Sequence, residues 1–98
     1  MKSIAVEELL KLDTNNIAII DVREINEFQS GHISGATNIP AAGLFYNPEK
    51  FLDIHNHYYL ICESGGRSSA VCNRLTELGY NVTNVSGGMS MFRHMKGE

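Results

Sequence analysis

The decisive stretch is Tyr58-Tyr59-Leu60-Ile61-Cys62-Glu63-Ser64-Gly65-Gly66-Arg67-Ser68. Its first four residues form a short apolar and aromatic run, the pattern of a strand buried inside a sheet. Gly65-Gly66 then breaks the chain. A helix is expected from about Ser68 to Leu78, with Val71, Leu75 and Leu78 at i, i+4 and i+7 and Gly79 as its stop. Strand, glycine loop and helix follow one another without a spacer, which is the grammar of a βα unit.

Working outward, the same alternation recurs. Ile17-Ala18-Ile19-Ile20 is a β-branched apolar run that reads as a second buried strand, closed by Asp21-Val22-Arg23. Glu24 to Gln29 reads as a short helix, with Ile25 and Phe28 three apart and Gly31 as its stop. Thr37-Asn38-Ile39 is extended and Pro40 ends it. Val82 to Val85 is a further strand, and Gly87-Gly88 turns into a last helix with Met89, Phe92 and Met95 on one side. Val6, Leu9 and Leu10 mark a short amphipathic helix near the start. The least regular part runs from Ala41 to Asn56, with a short helix expected near Pro48 to Leu52. Strands alternating with helices predict an α/β fold with a mainly parallel sheet covered on both faces. Ligands bind such sheets at the carboxyl ends of the strands.

Length and composition bound the function. Ninety-eight residues make one domain, spanning 1–98. With 43% hydrophobic and 19% charged residues, the balance is that of a folded domain, which excludes a disordered chain. The net charge of -3 and the lack of a basic tract argue against nucleic acid as a partner. No apolar run approaches a membrane span, and Met1 to Leu12 carries no secretory pattern. Two cysteines, Cys62 and Cys72, are too few for a disulfide framework or a thiolate zinc site. The expectation is a cytoplasmic, reducing location, a monomer, and no metal or organic cofactor.

Cys62 is the candidate nucleophile. It stands where the strand ends, before glycines that let successive backbone N–H groups curl into an anion-binding nest. The next helix adds partial positive charge at its start. These features favour the thiolate, the reactive form of cysteine. Arg67 adds a forked cation at the end of the loop. The plain alternative is a small buried hydrophobe followed by an ordinary turn.

Other residues are weighed in the same way. Cys72 is either a resolving thiol or simple helix packing, and packing is the preferred reading. His55-x-His57 lacks a third ligand nearby and reads as a solvated turn. Arg23 and Glu27 are a possible i, i+4 surface pair. Met89, Met91, Phe92 and Met95 form either a docking patch or core, and core is preferred.

Several of these stretches together resemble the rhodanese, or sulfurtransferase, family. Cys62-x-x-Gly65-x-Arg67-Ser68 is similar to its active-site loop. Asp21-Val22-Arg23, Glu27-Phe28, Gly31-His32-Ile33-Ser34-Gly35-Ala36 and Asn38-Ile39-Pro40 resemble its N-terminal signature. Gly87-Gly88-Met89 with Phe92 resembles its closing segment, where Phe92 stands in place of the usual Trp. The resemblance implies a three-layer α/β/α fold with a five-stranded, mainly parallel sheet. It implies that Cys62 takes a sulfane sulfur from thiosulfate, a polysulfide or a persulfide and passes it to a thiol, cyanide or a protein acceptor. Glu63, Ser64, Gly65, Gly66, Arg67 and Ser68 would form the substrate cradle. It also makes His32 structural and has Asp21 and Arg23 brace loops near the site.

Four residues separate Cys62 from Arg67. The related phosphatases and arsenate reductases have one more, so this loop is sized for a single sulfur, not for a phosphate. Glu63 departs from the family's good thiosulfate users, which often carry a cation there. A carboxylate facing the site would repel a dianionic donor, and Glu63→Lys is then expected to raise thiosulfate activity. Two other readings stay open: a non-catalytic binding or regulatory module of the same fold, and a redox protein cycling a Cys62–Cys72 disulfide.

Overall fold

The computed structural model describes residues 1–97. Five strands alternate with five helices: β1 (Lys2–Ala5), α1 (Val6–Leu9), β2 (Ala18–Asp21), α2 (Ile25–Gln29), β3 (Thr37–Asn38), α3 (Ala41–Tyr46), β4 (His57–Ile61), α4 (Gly66–Glu77), β5 (Asn81–Ser86) and α5 (Gly88–Met95). A single turn of 3₁₀ helix, Pro48–Lys50, links α3 to the approach of β4. The sheet has the order β1-β5-β4-β2-β3, and every pair is parallel. The fold is therefore α/β with a five-stranded parallel sheet.

The period-two alternation of a strand divides the core into two layers. Ile20, Leu60 and Val82 pack with Leu44 of α3 and with Val71 and Leu75 of α4. Ile19, Ile61 and Val85 face the other way, against Val6 and Leu9 of α1 and Met89 of α5. Cys62, one residue past β4, keeps the parity of Leu60 and joins the α4 side. The chain goes outward from β2 to β3, then crosses back to β4 and β5. The switch point falls between β2 and β4, at their carboxyl ends, where Asp21 is aligned with Ile61.

Several elements differ from the sequence reading. β1 was not foreseen, because an edge strand that opens Lys-Ser has little apolar signal. α3 was likewise unseen, and Pro48–Lys50 forms only one 3₁₀ turn. α4 begins at Gly66, two residues before the expected start. Leu78 caps α4 and lies exposed, although Gly79 stops the helix as expected. Ile25 faces solvent, so α2 is held by polar contacts and not by a buried apolar pair. Met89 is core, but Met91 and Met95 are 45% and 44% exposed, since the short α5 buries only the face that meets α1 and the sheet. No helix among the described residues is long and apolar enough to cross a membrane.

Candidate active site

The loop from Cys62 to Ser68 wraps around the cysteine sulfur. Gly65 takes φ +107°, a conformation that side-chain-bearing residues rarely adopt, and this turns its N–H inward. The Gly65 N–H donates to Cys62 Sγ at 3.0 Å, and the Ser68 N–H does so at 3.4 Å from the first turn of α4. Ser68 Oγ lies 3.3 Å from the same sulfur. Burial by itself pushes the thiol up. The Ser68 hydroxyl and the N–H groups of Ser68, Gly65 and Ser64 outweigh it, and the pKa of Cys62 falls below the ordinary thiol value. The residue is only 1% exposed, so the sulfur is seated in the loop and shielded from bulk water.

Cys72 lies on the buried side of α4 in the same core layer. Burial, reinforced by repulsion from Cys62, pushes its thiol up to about 12. Both cysteines are free. Cys72 is buried in the core, as the packing reading expects, and its raised pKa favours the protonated thiol.

The flanking charges are arranged differently from the sequence expectation. Arg23 does not pair with Glu27 on a surface. It is 1% exposed and forks onto Asp21, with Nη2 to Oδ2 at 2.8 Å and Nε to Oδ1 at 3.0 Å. Its Nη2 also donates to the Gly31 carbonyl at 2.8 Å, and Nη1 reaches Glu63 Oε1 at 3.4 Å. Residue 23 lies beyond the end of β2 and before α2, so no helical i, i+4 geometry exists for it. Arg67 takes Glu27 instead, with Nη1 to Oε1 at 2.7 Å and Nη2 to Oε2 at 3.0 Å. The Arg67 side chain, its hydrogen bonds and the adjacent Glu24 N–H hold the Glu27 carboxyl at about 2. Both outer nitrogens of the Arg67 fork are thus engaged by a protein carboxylate.

Glu63 is half-buried, with its carboxylate turned to two guanidinium groups. It is held between Arg23 and Arg93, with which it forms ion pairs. It lies on the wall of a cleft of about 560 Å³ that opens beside the loop, bounded also by Arg23, Glu27, His32, Phe92 and Arg93. The expected repulsion of a dianionic donor by Glu63 is thus modified by its pairing with two guanidinium groups.

The closing glycines bring α5 onto the loop. The N–H groups of Met89 and Ser90 donate to the carbonyls of Cys62 and Glu63, both at 2.9 Å. A Cβ on Gly88 would stand 2.5 Å from the Cys62 carbonyl oxygen and 2.6 Å from that of Glu63. Only hydrogen fits there. His32 makes the kind of hydrogen bond that the resemblance implied: its Nδ1 bonds the Phe28 carbonyl at 2.8 Å and its ring stacks on Phe28. His55 is exposed, but His57 is not in a solvated turn. It opens β4 and pairs through Nε2 with Thr83 Oγ1 at 2.7 Å. Among the described residues no group of three or more His, Cys, Asp or Glu is placed to hold a metal.

Asn84 on β5 was not singled out from the sequence. It follows the parity of Val82 and is aimed at α4, where its Oδ1 lies 2.5 Å from Ser68 Oγ. A buried polar residue at a strand position that the alternation assigns to the core is the signal that was available.

Comparison with known proteins places this arrangement in a family. Residues 5–95 match the rhodanese-like domain. The chain is 40% identical over 87 residues to the Bacillus subtilis protein named "Putative sulfurtransferase YtwF", covering 87% of this chain and 81% of that protein. It is 29% identical to the thiosulfate sulfurtransferase GlpE of Shewanella oneidensis, over 91% of this chain and 89% of the other. A crystal structure of a Staphylococcus saprophyticus protein superposes with a TM-score of 0.84 at 42% identity, covering 94% of this chain and 93% of that one. A rhodanese-related protein of Thermoplasma volcanium gives a TM-score of 0.86 at 32% identity, covering 97% and 93%. With its parallel sheet, its cysteine loop and these relatives, the chain belongs to the rhodanese-like domain family.

Proposed function

We propose that this chain is a sulfurtransferase acting as a single rhodanese-like domain over residues 1–98, with Cys62 as its nucleophile. The observation that carries the reading is the inward turn of the Gly65 and Ser68 N–H groups onto Cys62 Sγ. A buried cysteine kept only for packing needs no ring of donors. A sulfur that must carry negative charge does.

The Cys62 thiolate attacks the outer sulfur of a donor, the donor's sulfur–sulfur bond breaks, and its electron pair departs with the leaving group. The sulfur stays on Cys62 as a persulfide, and a thiol, cyanide or protein acceptor removes it in a second displacement. The loop from Glu63 to Ser68 cradles the transferred sulfur by its backbone. Arg67, tied to Glu27, serves to hold the loop's end in place. Glu63 offsets part of the charge of Arg23 and Arg93, which weakens the pull of the cleft on a dianion even though Lys96 also lines it. Persulfides of lower charge, on a protein or a small thiol, are therefore the preferred donors, ahead of thiosulfate. The chain works as a cytoplasmic monomer, where both thiols stay reduced.

The test is intact-mass analysis of the reduced protein after exposure to thiosulfate and, separately, to a polysulfide, with peptide mapping. The expected result is a gain of one sulfur on Cys62, reversed by cyanide or a thiol and lost in Cys62→Ser. No gain from either donor would leave a binding module as the function of the loop.

A further inference from the structure

Ser68 Oγ has one proton and three neighbours that accept it. Asn84 Oδ1 lies at 2.5 Å, Cys62 Sγ at 3.3 Å and the Gly65 carbonyl at 3.3 Å. Ser68 is fully buried and Asn84 nearly so. A hydroxyl donates once. The shortest contact takes that proton, so in this arrangement Ser68 gives it to Asn84, and a protonated Cys62 donates to Ser68 Oγ. The Asn84 side chain makes no other hydrogen bond among the described residues. It stands on the α4 side of β5, where Val82 two residues earlier is core. Packing alone gives no reason for an amide at that position.

We propose that Asn84 is a positioning residue for Cys62: it competes with the sulfur for the single proton of Ser68 Oγ, and so releases that hydrogen bond only when negative charge forms on the sulfur.

The catalytic use of this competition rests on the sulfur-transfer reading. In the second displacement the acceptor bonds to the outer sulfur of the persulfide. The bond between the two sulfurs breaks and its electron pair stays on Cys62 Sγ, while the outer sulfur leaves with the acceptor. Before this step Sγ is bonded to carbon and sulfur and is a weak acceptor, so the hydroxyl stays on Asn84. As Sγ departs it becomes an anion, a better acceptor than an amide oxygen, and the hydroxyl turns to it. The bond is then stronger in the transition state than in the ground state, which is the condition for lowering a barrier.

The test is the pH profile of Cys62 alkylation by iodoacetamide in the full chain, with the site mapped by mass. It needs no sulfur transfer. Asn84→Leu removes the competitor, and the midpoint is expected to fall by about half a pH unit. Asn84→Asp installs a stronger, charged acceptor, and the midpoint is expected to rise by about one unit, a tenfold loss of rate below it. In a Ser68→Ala background the Asn84→Leu shift is expected to vanish. A packing role would move both variants in one direction or move neither. Shifts of the same sign, no shift with Leu, or a Leu shift that survives Ser68→Ala would each overturn the proposal. Asn84→Ala is read in the same way if thermal melts show that the Leu variant does not fold. Persulfide formation by the wild-type chain is measured separately, and its absence would remove the transfer reading while leaving the alkylation result to stand on its own.

Discussion

The Arg67 guanidinium closes on the Glu27 carboxylate at 2.7 and 3.0 Å, so the cation that ends the cysteine loop is anchored on α2, 40 residues earlier in the chain. Both side chains are partly exposed, and a bidentate pair of this kind contributes about 1 kcal/mol. The folded-state pKa of Glu27 is depressed from 4.5 to about 2. Its stabilisation is therefore present above the ordinary value and is lost as pH falls through about 2. Urea melts between these limits are expected to show a shallower acid loss in Glu27→Gln than in the wild type. Equal slopes in the two proteins would assign the acid sensitivity elsewhere.

Glu63→Gln removes the carboxylate that Arg23 and Arg93 share, while keeping the side chain's shape. The cleft gains net positive charge, and kcat/KM with thiosulfate is expected to rise about threefold to tenfold, with a salt-sensitive gain. Steady-state kinetics at low and moderate ionic strength check this. Glu63→Lys is a poorer test than the sequence implies, because the new ammonium would face both guanidinium groups. A Gln variant with unchanged kcat/KM would mean that donor charge is not read at this position.

Gly88→Ala puts a methyl group against two carbonyl oxygens, in a backbone with φ +59°. Overpacking against backbone has no soft side chain to absorb it, and roughly 3 kcal/mol or more of destabilisation is expected. The measurable outcome is a large drop in the thermal midpoint or failure to accumulate folded protein. A variant that melts like the wild type would show that α5 can lift from the loop without cost.

Arg23→Leu strands the buried carboxylate of Asp21, which is fully shielded from water. Breaking one side of a buried pair costs about 3–5 kcal/mol. Denaturant melts are expected to show that loss, and Asp21→Asn combined with Arg23→Leu is expected to recover part of it. Full additivity of the two substitutions would mean that the pair does not act as a unit.

The parts legible in the sequence share one property: their signal is local. Ile17 to Ile20 and Tyr58 to Ile61 declare themselves because strands covered on both faces need continuous apolar runs. The Cys62 loop is legible because its geometry depends on glycines a few residues away. What escaped detection depends on distant partners. β1 is held by β5, not by its own composition. Arg23 reads as a surface residue until the Asp21 carboxylate, the Gly31 carbonyl and Glu63 are found around it. Glu27 and Asn84 lie on other elements from the loop they touch, and no spacing rule connects them to it.

The sheet order also constrains how the chain can fold as it is made. β1 precedes the other four strands, yet among the described residues its one ladder partner is β5, with Lys2 aligned with Thr83. During synthesis β1 has no ladder neighbour until β5 has emerged. β2 and β3 can pair early, but β4, the strand that carries Cys62, must then enter beside β2 before β5 can bridge to β1. Such long-range parallel pairing is slow to close. The waiting segment keeps an open backbone edge in the meantime, which makes it the point where a nascent chain is most exposed to pairing with another copy.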